Sequence, residues 1–83
     1  MPTVTRIDGL RVTIYPNDHR PAHVHVIGMD REAVFDLHCP EGPPQLRENY
    51  RFTRSALSRI VEGLANHLPT LCQQWKQLHD HHA

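Results

Sequence analysis

The chain has 83 residues, enough for one domain and too few for two. Nine basic residues balance nine acidic ones, which argues against nucleic-acid binding through bulk electrostatics, because non-specific affinity rests on neutralised phosphates. No apolar run approaches the roughly 20 residues that span a bilayer, and the opening MPTVTRIDGL lacks the charged start and apolar stretch of a secretory leader.

The first half is rich in strand formers. Thr3–Ile7 and residues 10–15 flank Asp8-Gly9, a dipeptide suited to a type I′ hairpin turn. Leu10, Val12 and Ile14 alternate with Arg11, Thr13 and Tyr15, so the second strand buries one face. A loop framed by prolines, residues 16–21, leads into a second hairpin of residues 22–27 and 30–37. Gly28-Met29 between them fits a two-residue type II′ turn, with Gly at its first central position. That register sets Ile27 opposite Asp30, His25 opposite Glu32 and Val24 opposite Ala33. Val24, Val26, Ala33 and Phe35 then share one face, and His23, His25, Glu32, Val34 and Asp36 share the other.

Pro40, Gly42, Pro43 and Pro44 punctuate residues 39–52, which read as a link. Beyond it, Ala56, Leu57, Ile60, Val61 and Leu64 form one apolar helical stripe, with Thr53 or Ser55 placed to cap its start. Gly63 weakens that helix, and Asn66 with Pro69 breaks it. Pro69 is tolerated in the first turn of a second helix, where its missing N–H is not needed. Leu68, Leu71, Cys72, Trp75 and Leu78 continue the stripe. The expected fold is α+β: a four-stranded antiparallel meander followed by two helices, or one broken helix, packed on one sheet face. Residues 1–83 are read as a single domain, with a β-rich half over 1–38, the link over 39–52 and a helical half over 53–83. Cys39 and Cys72 follow no CxxC spacing, and a pair of reduced, partly buried thiols is expected of a cytoplasmic chain.

The opening PTVTRIDG, the run YPNDHRPAHVHV, the EAVF strand and the later ENYRFTRSALSRIVEG with a tryptophan in the last helix resemble one bacterial family, domain-of-unknown-function family 4160. The resemblance spans nearly the whole chain. Asn17, His19, Arg20, Pro21, His23, His25 and Glu32 match it residue by residue. The chain departs from it at Pro69, at residues 39–44 and in the clustered C-terminal histidines. The resemblance implies a small cytoplasmic protein, encoded beside a member of family 2442 in what look like two-gene toxin–antitoxin modules. It implies no established activity.

The residues themselves concentrate chemistry in 17–26. His23 and His25 stand at i, i+2 on a strand and project from one face. Such a pair offers two imidazoles to one metal ion, with His19 and Glu32 as further ligands, zinc or another divalent transition metal being the cofactor in that case. A second reading needs no cofactor: a metal-independent endoribonuclease with His23 or His25 as base or acid, His19 as its partner, Arg20 on the phosphate and Glu32 orienting His25. A third makes the histidine face a polar, hydrogen-bonded surface for binding a protein, either the family 2442-like neighbour or a second copy in a homodimer. Arg47, Arg51, Arg54 and Arg59 likewise read either as a phosphate-facing patch or as a solvated face partnered by Glu48 and Glu62. The function expected is one half of a toxin–antitoxin-like pair that acts on RNA or translation through His19, Arg20, His23 and His25. The alternative is a non-enzymatic partner-binding or regulatory module, with metal bound through His23 and His25.

Overall fold

The computed structural model describes residues 3–15 and 19–79. Five antiparallel strands form one sheet in chain order: β1 (Thr3–Ile7), β2 (Leu10–Thr13), β3 (His23–Ile27), β4 (Glu32–Asp36) and β5 (Gln45–Tyr50). Two helices follow, α1 (Arg54–Asn66) and α2 (Leu68–His79). The α+β class and the two helices are as expected, but the sheet has five strands where four were expected. The additional strand, β5, occupies part of the stretch read as a link. Its sequence, QLRENY, has no apolar alternation, and all six residues are exposed. An edge strand is held by backbone pairing on one side only, so its side chains need not carry the pattern of a buried strand.

The first hairpin forms about the expected turn, with its second strand ending at Thr13 where residue 15 was expected. Asp8 (φ 52°) and Gly9 (φ 78°) both lie in the left-handed region that a type I′ turn requires. The second hairpin differs in register. The Gly28 N–H donates to the Arg31 carbonyl at 2.8 Å, so residues 28 and 31 close the turn and Met29-Asp30 stand at its tip, one position later than the expected Gly28-Met29. Ile27 therefore pairs with Glu32, Val26 with Ala33, His25 with Val34, Val24 with Phe35 and His23 with Asp36. The strands have slipped by two residues from the expected pairing. Because two is the side-chain period of a strand, every residue keeps its face.

The helices cover the face lined by Val12, Ile14, Val24, Val26, Ala33 and Phe35, all of them fully buried. Ala56, Ile60 and Leu64 of α1 and Leu68, Leu71 and Trp75 of α2 supply the opposing layer. Thr53 caps α1, its Oγ1 accepting from the Ala56 N–H at 3.1 Å. Pro69 is the second residue of α2, where no helical N–H is lost. Gly63 turns out to be a close-packing residue. A Cβ built on it would lie 2.6 Å from Ile7 Cγ2, so the missing side chain lets α1 rest directly on β1.

The cysteines correct the sequence reading. Cys39 and Cys72 form a disulfide, with Cα atoms 5.8 Å apart, and among the described residues no cysteine is free. The loop after β4 runs beside α2, which brings together two thiols that lie 33 residues apart in sequence. No described helix is long and apolar enough to cross a membrane.

Candidate functional site

The strand pairings fix three cross-strand rows on the face opposite the helices. Arg6, Arg11, Ile27, Glu32 and Tyr50 form the first. Thr13, His25, Val34 and Glu48 form the second, and His23, Asp36 and Gln45 the third. No described helix covers this face, yet its centre is closed by its own side chains. Thr13, His23 and Val34 are each less than a tenth exposed.

His23 and His25 come together as expected, with ring centroids 5.4 Å apart and planes inclined at 60°. Both are held by hydrogen bonds. His23 Nδ1 lies 2.8 Å from the Pro21 carbonyl, which can only accept, so this nitrogen carries the proton. His25 Nδ1 faces Glu32 Oε2 at 3.2 Å. That contact runs diagonally across the hairpin, because the residue directly opposite His25 is Val34. The Tyr15 ring meets His25 edge-on at 4.8 Å and limits its movement from the β2 side. These are the restraints of an ordered polar surface. They also fix the ring directions that any acid–base role would need.

The remaining expected members do not join the pair. Arg20 sets its guanidinium 5.2 Å from the centre of the Trp75 ring, on the helix-covered side of the sheet. His25 projects from the opposite side, so a phosphate held by Arg20 at this position would not reach it. His19 is exposed, and no hydrogen bond or ion pair joins it to the described histidines. Asn17 lies outside the described residues, as do His81 and His82 of the tail. Among the described residues no three His, Cys, Asp or Glu side chains converge to hold a metal ion. A closed structural zinc site takes four ligands, and a catalytic one takes three plus water.

Sequence reasoning missed Glu48 and Tyr50, which arrive on β5. With Glu32, Val34 and the adjoining backbone of β4 and β5 they line a groove of about 520 Å³. Two carboxylates, an apolar floor and a phenol exposed over 61% of its surface give this groove an acidic, partly aromatic character. The signal that would have found it, strand alternation over 45–50, is absent from the sequence.

Three of the four arginines read as one patch already have acidic neighbours, though not the expected ones. Arg47 lies 3.6 Å from Asp36, Arg51 3.5 Å from Asp30 and Arg59 3.5 Å from Asp8. Arg51 also rests 5.5 Å from the centre of the Tyr50 ring. The Arg51–Asp30 and Arg59–Asp8 pairs are exposed at both ends and contribute about 0–1 kcal/mol each, so they shape the surface charge more than the stability.

No curated protein and no solved structure matches the chain. A family model does match, over residues 9–76, from the turn of the first hairpin into the last turns of α2. The chain belongs to the family described as Domain of unknown function (DUF4160).

Proposed function

We propose that this protein is a non-enzymatic partner-binding component of a two-gene, toxin–antitoxin-like module, and that it docks a basic segment of its cognate protein on the uncovered sheet face. The observation that carries this reading is the groove of Glu32, Val34, Glu48 and Tyr50 beside the histidine pair. Two carboxylates repel a phosphodiester and attract Lys or Arg, and an exposed tyrosine is a common anchor at protein interfaces. An RNA-directed reaction through the histidines has less support. The cation expected to hold the phosphate, Arg20, sits over Trp75 on the helix-covered side and not beside His25.

The test is co-expression with the product of the neighbouring gene. The wild-type chain should co-purify with it, and a Glu32→Lys/Glu48→Lys variant should lose the complex while remaining folded. A His23→Ala/His25→Ala variant tests the rival reading. If the protein expressed alone arrests growth, and this variant relieves the arrest with the complex intact, the function is catalytic and the proposal fails.

A further inference from the structure

The uncovered sheet face is electrically lopsided. The strand register sets Arg6 of β1 directly opposite Arg11 of β2, and the same row runs on through Ile27 to Glu32 of β4 and Tyr50 of β5. One edge of the row carries two guanidiniums, and the other carries a carboxylate and a phenol, with Glu48 in the next row of β5. Like charges directly opposite on paired strands repel each other. Among the described residues neither Arg6 nor Arg11 has an acidic partner, and Glu48 has no basic one. Arg6, Glu32, Glu48 and Tyr50 are exposed, and Arg11 and Ile27 are partly so, which leaves these groups within reach of a second molecule.

This arrangement complements itself. Turned by half a revolution about an axis that runs along β3 in the plane of the face, a second copy lays its β4 and β5 over β2 and β1 of the first. Arg11 then meets the second copy's Glu32. Arg6 comes beside the second copy's Glu48 and Tyr50, where a cation finds both a carboxylate and an aromatic ring. The rotation repeats each contact, so every one of these arginines gains a carboxylate. Ile27, at the middle of the row, meets its own copy and adds an apolar contact. Packed sheets keep their strands within about 30° of each other and stand about 10 Å apart, a gap that facing arginine and glutamate side chains can span. The chain has no net charge with histidine neutral, so two copies approach without long-range repulsion.

We propose that this protein forms a symmetric, face-to-face homodimer in which Arg6 and Arg11 of each copy bind Glu48, Tyr50 and Glu32 of the other. Five strands about 4.8 Å apart make a face roughly 19 Å wide, so the interface is at the small end of the usual range. The dimer is accordingly weak and concentration-dependent. It does not depend on a cognate protein. A basic segment docked as proposed above would take the same carboxylates, so the second copy and the segment compete.

Sedimentation velocity on the full-length chain alone tests the dimer, from about 10 µM to about 1 mM, the range of weak association. The average mass should climb from one chain towards two. Arg11→Glu should weaken association at least about tenfold, because both symmetric contacts turn repulsive, and Glu32→Arg should do the same. An equimolar mixture of the two variants should dimerise as wild type does, since the two introduced charges face each other and the two native ones do too. Raising sodium chloride from about 0.1 M to about 1 M, which cuts the screening length from ~10 Å to ~3 Å, should weaken the wild-type dimer and requires no substitution. A single monomer mass over the whole range would overturn the proposal. So would a variant that associates as tightly as wild type, a mixture that stays monomeric, or a wild-type affinity that salt leaves unchanged. None of these arms uses a partner protein, so the dimer and the docking of a basic segment fail separately.

Discussion

The two faces of the sheet are built from alternate residues of the same strands, and they have separate roles. Val24 and Val26 are fully buried beneath the helices, while His25, between them, points the other way to Glu32 and Tyr15. One face is stabilised by buried apolar area; the other carries polar side chains, among them the His25–Glu32 contact. In a chain this short, with 39% apolar residues, the hydrophobic supply closes one side of a five-stranded sheet. The other side is left to polar groups, and its specificity is what remains available for recognition.

The largest expected effect tests the covered face. Phe35→Ala should cost about 3–5 kcal/mol in urea unfolding, since a fully buried ring is removed and the rigid sheet cannot close the gap. A loss under about 1 kcal/mol would mean that the helices are not seated as described. Next comes the crosslink at the flank of that face. Replacing both Cys39 and Cys72 with Ser should cost about 2–4 kcal/mol, measured by thermal unfolding of oxidised wild type against the double variant.

A smaller effect tests the contact between α1 and β1. Helix propensity alone predicts that Gly63→Ala stabilises by about 1 kcal/mol. Contact with Ile7 predicts the opposite, a net loss of about 1–3 kcal/mol, because the added methyl would fall 2.6 Å from Ile7 Cγ2. The sign of the change decides between them. The smallest effect belongs to the uncovered face. Glu32→Gln with Glu48→Gln should change stability by about 0.5 kcal/mol or less, as both carboxylates are exposed. Their loss should be felt in binding.

The same contrast explains what could be read from the sequence. The covered face was legible because burial imposes periodicity: Leu10 and Val12 on β2 with Ile14 just after it, and the stripe through Ala56, Ile60 and Leu64 on α1. The Asp8-Gly9 turn was legible because few dipeptides favour two consecutive left-handed residues. His23 and His25 were placed correctly on one face, since a slip of two residues leaves faces unchanged. The slip itself was hidden, because a turn centred on Gly28-Met29 and one centred on Met29-Asp30, closed by the Gly28 to Arg31 hydrogen bond, put the same residues on the same faces. β5 was hidden because a polar edge strand carries no alternation, and Glu48 and Tyr50 of the candidate groove were hidden with it. The direction of Arg20 and the meeting of Cys39 with Cys72 depend on loop paths, which no period encodes.

The uncovered face is proposed to recognise a basic protein segment through its carboxylates and not through histidine chemistry. Calorimetric titration of the purified neighbour-gene product into wild type, Glu32→Lys/Glu48→Lys and His23→Ala/His25→Ala tests it most directly. Wild type should bind, and double charge reversal should lower the affinity at least about a hundredfold, the scale of removing two charge-assisted contacts. The histidine variant should lose less. Undiminished binding by the charge-reversed protein, with its fold intact by circular dichroism, would contradict it.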